Sequence, residues 1–271
     1  MWRLLGLERA HPKVPYASAL FGDDPQSTFA KTRALRDAGY AAVKLGWGPY
    51  GASTVDADTA QVRAARDGLG ADIALMVDAG TVFDEDVDAA AARLPALAAC
   101  GVRWFEEPFV QGALAAYAAL ARCSPRVALA AGEGSHDEHH ARQMVDFAGL
   151  GYLQIDAGRI GGITVARQAA LHAARAGVRF VNHTFTTTLA LSASLQPYAD
   201  LEEHELCELP VEPSALAREL APPLARDGDG RIVIPDAPGL GVEPNLAAVR
   251  RYLVDARIEV GGKELYRTPA V

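Results

Sequence analysis

Residues 74–80 have the sequence ALMVDAG, and residues 103–108 have the sequence RWFEEP. Each stretch contains a short apolar run that closes on an acid, Asp78 in the first and Glu106 in the second. Short apolar runs between turn residues predict buried strands of a parallel sheet. The two acids are therefore expected at the carboxyl ends of their strands, where parallel barrels carry their functional groups.

Six further runs of this kind flank these two, at residues 15–20, 42–47, 127–132, 152–157, 179–183 and 205–209. Segments with helical spacing separate them, for example residues 56–69, 84–99, 113–121, 137–147 and 164–176. Polar residues near the strand ends recur every 23 to 34 residues, which indicates one strand and one helix per interval. No glycine-rich phosphate turn follows the first strand, so the pattern predicts an α/β fold with a closed parallel barrel rather than a doubly wound sheet.

The chain has 271 residues, which is long enough for one barrel and a short appendage. From Gly228 onward the pattern changes. It predicts a strand at residues 231–234, a turn at Pro238 and Gly239, and a helix near residues 245–254. We expect this tail to be a C-terminal extension outside the barrel.

The composition argues against several classes of partner. The net charge is −8 and no cluster of Lys and Arg occurs, so neither a nucleic acid nor a membrane is expected as a partner. The three cysteines, Cys100, Cys123 and Cys207, form no CxxC pair, which argues against a disulfide framework and a structural zinc site. The N-terminus lacks a signal-peptide pattern, and together with the cysteines this predicts a cytoplasmic protein.

Three carboxylates stand at consecutive strand ends: Asp78 in LMVDAG, Glu106 in WFEEP and Glu133 in AAGEG. Strand ends of a barrel converge on one mouth, and hard oxygen donors suit Mg²⁺. Each acid alone would more often cap a helix, but three in register favour a metal site. Because side chains alternate along a strand, Glu106 is expected to face the interior, with Glu107 on the outer side or in a salt bridge.

Four more polar residues stand at the ends of other strands. Asp156 and His183 are expected to form a pair in which the aspartate accepts one ring N–H of the histidine. This contact would orient His183 as a general base. Lys44 ends the second strand and could bind a substrate carboxylate or an enolate oxygen. Glu208 ends the last strand, either as a hydrogen-bond partner of that oxygen or in an ion pair at the rim.

Several motifs in order resemble the mandelate racemase and muconate lactonizing enzyme branch of the enolase superfamily: VKLGWGPYG, LMVDAG, WFEEP, AAGE, QIDAGRIGGIT, VNHT and IPDAPGLGVE. The resemblance covers nearly the whole chain and implies a TIM-like, modified (β/α)7β barrel. It also implies roles for the seven strand-end residues: a Mg²⁺ site of Asp78, Glu106 and Glu133, a base dyad of His183 and Asp156, and substrate carboxylate contacts from Lys44 and Glu208.

The chain departs from this family at three places. Racemases of the branch usually have a second lysine two positions after the one that corresponds to Lys44. This chain has Gly46 at that position, so two-base racemisation is not expected. Asn is common two positions after the first metal ligand, where this chain has Gly80. Family members begin with a capping domain of roughly a hundred residues, whereas the first predicted barrel strand here begins near residue 15.

We therefore expect residues 1–14 to be the remnant of a capping domain, residues 15–227 to form the catalytic barrel and residues 228–271 to form the extension. The short N-terminus leads us to expect a homo-oligomer or a separate capping chain as partner. An apolar surface left bare by the cap would favour either assembly.

The predicted function is that of a Mg²⁺-dependent lyase acting on a small-molecule carboxylate, in which His183 removes the proton α to the carboxylate. Mg²⁺ and Lys44 would stabilise the enediolate, and loss of water would convert a sugar acid to a 2-keto-3-deoxy acid. Two alternatives stay open. One is a racemase, epimerase or cycloisomerase of the same superfamily, and the other is a metal-binding barrel that is inactive without a capping domain.

Overall fold

The computed structural model describes residues 1–269. Within them, eight parallel strands form a nearly closed barrel with the order β7-β6-β5-β4-β3-β2-β1-β8. The strands are β1 Val14–Leu20, β2 Ala42–Gly46, β3 Ala74–Asp78, β4 Val102–Glu106, β5 Ala128–Ala131, β6 Tyr152–Ile155, β7 Arg179–Asn182 and β8 Leu206–Pro210. Every strand predicted for the barrel is present, and the predicted α/β barrel is confirmed.

Helices connect each strand to the next: α1 Pro25–Asp37, α2 Val55–Leu69, α3 Val87–Ala91, α4 Leu94–Ala99, α5 Leu114–Cys123, α6 Glu138–Phe147, α7 Ile163–Arg175 and α8 Thr188–Leu195. The caps Asp24, Thr54 and Asp137 each accept a backbone N–H three residues ahead, which fixes where α1, α2 and α6 begin. Seven strand–helix units followed by β8 give the (β/α)7β arrangement that the resemblance implies. Among residues 1–269, we find no helix with both the length and the apolar character needed to cross a membrane.

The single helix predicted for residues 84–99 is wrong. Two short helices, α3 and α4, occupy this segment, and Arg93 lies between them. Pro95 explains the break, because proline lacks the backbone N–H of a helix interior and its ring collides with the preceding turn. Proline is tolerated in a first turn, and Pro95 lies in the first turn of α4.

One side chain from each strand fills the lower interior of the barrel: Tyr16, Ala42, Met76, Trp104, Ala130, Tyr152, Val181 and Leu206. The Trp104 ring lies 5.5 Å from that of Tyr16 and 4.7 Å from that of Tyr152. Because side chains alternate along a strand, the residues two positions further on face the interior again. These residues include Lys44, Asp78, Glu106, His183 and Glu208, so a polar layer lies directly above the apolar one.

Side chains bridge the seam between β7 and β8, which stand at the two ends of the hydrogen-bonded strand order. The Oδ1 of Asn182 accepts the backbone N–H of Glu208 at 3.0 Å and the hydroxyl of Tyr198 at 2.9 Å. The Nδ1 of His204 accepts the backbone N–H of Phe180 at 2.7 Å. These bonds fix the position of Glu208 relative to β7.

Helix α9, Ala215–Leu220, follows β8 and precedes the tail. The strand predicted at residues 231–234 is wrong, because Ile232 forms only isolated bridges with Lys13 and Arg226. Pro235 follows this segment and has no N–H with which to extend a ladder. Ile232 is nonetheless buried in the main hydrophobic core, so this part of the tail packs on the barrel.

The helix predicted near residues 245–254 is shorter than expected, since α10 spans Leu246–Val249 and continues as a 3-10 turn, Arg250–Tyr252. An antiparallel hairpin of β9 Arg257–Val260 and β10 Lys263–Arg267 follows. Every residue of these two strands is exposed. The domain boundaries at residues 14 and 227 stay predictions.

Candidate active site

The mouth of the barrel contains a cavity of about 300 Å³. Five of the seven predicted site residues line it: Lys44, Asp78, Glu133, His183 and Glu208. The other two contact this group, Glu106 through Lys44 and Asp156 through His183. A larger cavity of about 500 Å³ lies elsewhere, between β8 and α9, and apolar, threonine and arginine side chains dominate its lining. The structure thus brings the seven residues together in the smaller cavity.

Lys44 is the buried cation of this site. Its Nζ lies 2.5 Å from Glu106 Oε1, 2.8 Å from Glu208 Oε1 and 3.9 Å from Asp78 Oδ2. Burial disfavours the ammonium, but the carboxylates of Glu106 and Glu208 outweigh burial and raise the pKa of Lys44 well above its usual value. Lys44 therefore stays charged, and Glu208 forms a buried ion pair rather than one at the exposed rim.

Negative charge exceeds positive charge around Lys44. Asp78, Glu106 and Glu208 are buried beside this one ammonium, so full ionisation would leave two negative charges uncompensated. Burial raises the pKa of Asp78 to about 6 and that of Glu106 to about 8, as expected for desolvated acids that lack sufficient positive charge nearby. Burial acts in the same direction on Glu208, but Lys44 outweighs it and lowers the pKa of that acid.

The donor set fits a divalent cation of hard character. Asp78, Glu106 and Glu133 supply carboxylate oxygens from consecutive strand ends, and the excess charge matches a dication. With the side chains as they stand in residues 1–269, no group of three acids, imidazoles or thiols is already arranged as a metal-binding cluster. Glu106 faces Lys44, and Glu133 Oε1 lies 2.8 Å from the guanidinium of Arg159. Metal binding would exchange these ion pairs for metal–oxygen contacts.

His183 and Asp156 are hydrogen-bonded to each other, with 2.9 Å between Nδ1 and Oδ2. The other oxygen of Asp156 accepts the backbone N–H groups of Gly158 and Arg159, which fixes the carboxylate. The Nε2 of His183 then lies 3.2 Å from Glu133 Oε2. Burial disfavours the imidazolium, but the bond to Asp156 and the nearby acids raise the pKa of His183 above its usual value.

The two glycines at which this chain departs from the family lie in tight surroundings. A Cβ on Gly46 would lie 2.9 Å from both Cβ and Oδ2 of Asp78, so a side chain there would displace that acid. A Cβ on Gly80 would lie 2.9 Å from the ring of Trp47. The backbone N–H of Gly80 also donates to Asp78 Oδ1 at 2.8 Å, so the main chain supplies a contact to this carboxylate.

The placement of Glu107 on the outer side of the barrel or in a salt bridge stays a prediction. Its side chain is buried, and its Oε1 has no hydrogen-bond partner among the described residues. Burial raises the pKa of Glu107 well above its usual value. β4 ends at Glu106 and Glu107 adopts a left-handed backbone with φ +39°, so strand alternation does not extend to Glu107.

Trp47, Arg159 and Phe185 are among the further residues that line the mouth but were not selected from the sequence. The sequence position of each of these residues could have identified it. Trp47 directly follows β2, Arg159 stands three positions after Asp156, and Phe185 stands two positions after His183. Residues at these positions lie in the loops that form the mouth of a parallel barrel.

Comparisons with known proteins agree with this fold. The family model for enolase C-terminal domain-like proteins matches residues 28–248. A crystal structure of a "predicted Mandelate racemase" from Rhodobacter sphaeroides shares 54% identity at a TM-score of 0.93, and the match covers 99% of this chain and 69% of that one. An enolase from Bradyrhizobium, solved with magnesium and mandelic acid, shares 26% identity at a TM-score of 0.79, with 93% and 65% covered.

Two curated relatives are each 31% identical to this chain. D-galactarolactone cycloisomerase of Agrobacterium fabrum matches over 78% of the chain, and D-galactonate dehydratase of Variovorax paradoxus matches over 72%. The matched parts cover 55% and 52% of those proteins, so the chain spans about half the length of these curated relatives. The resemblance drawn from the motifs is confirmed, and the chain belongs to the enolase C-terminal domain-like family.

Proposed function

We propose that this chain carries the site of a Mg²⁺-dependent lyase that removes the proton α to a carboxylate and dehydrates a sugar acid to a 2-keto-3-deoxy acid. The observation that supports this most is the hydrogen-bonded pair of His183 and Asp156 beside a floor of carboxylates around Lys44. A base, a cation and oxygen donors for a metal then share one cavity. These are the groups that a weak carbon acid needs.

Asp78, Glu106 and Glu133 would hold the metal, and when bound Mg²⁺ would supply positive charge to the oxygens of the substrate carboxylate. His183 takes the α proton on Nε2, because the contact with Asp156 keeps the other ring nitrogen protonated. Asp156 favours the imidazolium that forms. Lys44 places its ammonium near the oxygen on which charge develops as the proton leaves.

The elimination then needs only the proton that His183 has taken. The imidazolium returns it to the departing β-hydroxyl, the carbon–oxygen bond breaks and water leaves. The electron pair of the broken C–H bond forms the carbon–carbon double bond of an enol, which tautomerises to the 2-keto-3-deoxy acid. One histidine thus acts first as base and then as acid.

A second candidate is cycloisomerisation, in which the leaving oxygen is part of a ring and stays attached to the product. The steps at His183 are the same in both reactions. The relative named D-galactarolactone cycloisomerase supports cycloisomerisation as much as the relative named D-galactonate dehydratase supports dehydration. Two-base racemisation is less well supported, because Gly46 leaves no room for an opposing lysine beside Asp78.

A library of sugar acids screened with Mg²⁺ for 2-keto acid formation tests this proposal. We expect His183→Asn to retain Mg²⁺ binding but to lose turnover by more than the roughly 10² to 10⁴ typical of general acid–base assistance, because both steps use this residue. Asp156→Asn should lose less, since the imidazole remains. Mg²⁺ binding without 2-keto acid formation from any library member would contradict the proposal and favour a metal-binding barrel that needs a capping domain.

A further inference from the structure

Three large apolar side chains are exposed at the mouth, although the floor beneath them is charged. Trp47 is 60% exposed, Phe185 is 50% exposed and Leu20 is 44% exposed, and all three line the same cavity as His183 and Lys44. Trp47 follows β2, Phe185 follows β7 and Leu20 ends β1, strands that lie on the β7-β8-β1-β2 side of the barrel. These three residues form an apolar arc on one side of the rim.

Charged groups occupy the other side of the rim. Glu133 follows β5 and Arg159 follows β6, and both also line the cavity. The cavity is therefore apolar along one arc and charged along the opposite one. An open-chain polyol presents hydroxyl groups on all sides, whereas a closed sugar ring presents one face of C–H groups and concentrates its polar atoms at the edge. The closed ring therefore matches a cavity with one apolar arc and one charged arc better than the open chain does.

Trp47 is also held in a strained conformation. Its φ is +56°, in the left-handed region that a bulky side chain rarely adopts. The indole lies against Gly80, where an added Cβ would come within 2.9 Å of the ring. Strain of this kind persists where the surrounding structure imposes it, and it is concentrated at ligand clamps and active sites. An exposed tryptophan in such a position contributes little burial to offset the strain, which points to a role in binding.

We propose that Trp47 and Phe185 form a stacking subsite for the C–H face of a ring-closed sugar acid, so that these two side chains determine specificity for cyclic over open-chain substrates. The inference rests on the proposed proton abstraction at His183 and adds the shape of the substrate. Aromatic side chains bind apolar faces through area burial and specific ring geometry, while the edge polar groups of the ligand reach the charged arc. The carboxylate end of the ring then lies over the floor that holds Lys44.

The test is equilibrium binding of two probes that each carry one carboxylate, an aldarate monolactone and an open-chain aldonate, in the presence of Mg²⁺. The chain has three tryptophans, and Trp47 is the exposed one, since Trp2 and Trp104 are buried. Acrylamide quenching of tryptophan fluorescence therefore reports mainly on Trp47. The His183→Asn background prevents turnover during the titration. We expect the lactone to protect the fluorescence and to bind about tenfold more tightly than the open-chain acid.

Variants separate stacking from a structural role. Calorimetry should show that Trp47→Ala and Phe185→Ala each weaken lactone binding about tenfold and leave open-chain binding nearly unchanged. Trp47→Gly should lose the same affinity but keep or raise the melting temperature, because glycine adopts positive φ without strain. Phe147→Ala is the matched control, since Phe147 is an exposed aromatic on α6 and does not line the cavity; it should leave both affinities unchanged.

Equal affinity for the two probes, or no effect of Trp47→Ala on lactone binding, would overturn the inference. A large fall in melting temperature in Trp47→Gly would also overturn it, because it would show that the side chain is kept for stability. Lactone protection of Trp47 in a protein that forms no 2-keto acid would refute the proposed function and leave the stacking subsite standing.

Discussion

Gly46 and Asp78 show how one residue without a side chain shapes the site. An alanine at position 46 would bring its Cβ within 2.9 Å of Asp78, so we expect Gly46→Ala to cost about 1–3 kcal/mol of stability through overpacking and to weaken Mg²⁺ binding as Asp78 shifts. Chemical denaturation and calorimetry measure the two effects. Gly112→Ala is the control, because Gly112 has open space around its Cβ position. Similar losses in both variants would contradict this account.

The metal assignment is tested at the three acids individually. We expect Asp78→Asn, Glu106→Gln and Glu133→Gln each to weaken Mg²⁺ binding by about tenfold or more, since loss of even an outer-shell partner typically costs 10–100-fold in metal affinity. Calorimetric titration of each variant measures this directly. Glu138→Gln, on the surface helix α6, is a control that should bind as the wild type does. Unchanged affinity in all three site variants would refute the assignment.

The seven strand-end residues could be selected from the sequence because a periodic pattern of apolar runs fixes which polar residue ends each strand. What the sequence could not give was the direction of a side chain beyond the strand. Glu107 and Trp47 both lie one residue past a strand end with positive φ, where alternation no longer applies. Arg159 was missed for a related reason, because its contact with Glu133 joins two loops that are distant in sequence.

The buried amide of Asn182 makes two of the bonds at the β7–β8 seam. Asn182→Ala would leave the buried backbone N–H of Glu208 without its acceptor and would remove a partner of the Tyr198 hydroxyl. We expect a loss of about 2–4 kcal/mol, because each unsatisfied buried group costs about 1–3 kcal/mol. Tyr198→Phe removes one of these bonds and should cost less, about 1 kcal/mol. Urea denaturation that ranks the two variants in the opposite order would contradict this role.

Elements with strong local signals were predicted well, and those set by tertiary packing were not. The barrel strands are apolar runs bounded by turns, and this local pattern alone was enough to predict them. The helical pattern of residues 84–99 continues past Pro95. The break between α3 and α4 could have been predicted only by giving this proline priority over that pattern. Ile232 lies in an apolar run that would suit a strand, yet it forms only single bridges, with Lys13 just before β1 and with Arg226 in the loop after α9.

At the scale of the whole molecule, the hairpin of β9 and β10 is the least supported part. All of its strand residues are exposed, including the apolar side chains Ile258, Val260, Leu265 and Tyr266. A two-stranded hairpin is marginally stable alone, and exposed apolar patches favour association. We expect the chain to self-associate with rising concentration in light scattering, and truncation after residue 254 to reduce this while leaving the melting temperature of the barrel nearly unchanged.

Strictly monomeric behaviour of the full chain across concentration would contradict that expectation. A large fall in the melting temperature of the truncated chain would contradict it as well, because it would show that the hairpin supports the barrel. A truncated chain that still associates would locate the contact elsewhere on the molecule.

In the proposed reaction one base, His183 oriented by Asp156, removes the α proton of a carboxylate at a site that holds Mg²⁺. The most direct measurement is proton NMR of a sugar acid turned over in deuterated water with Mg²⁺. We expect substrate to be converted to keto product without accumulation of its α-carbon epimer, and we expect conversion to stop in His183→Asn and on chelation of the metal. Efficient racemisation, or full activity in His183→Asn, would contradict the account and point to another group as the base.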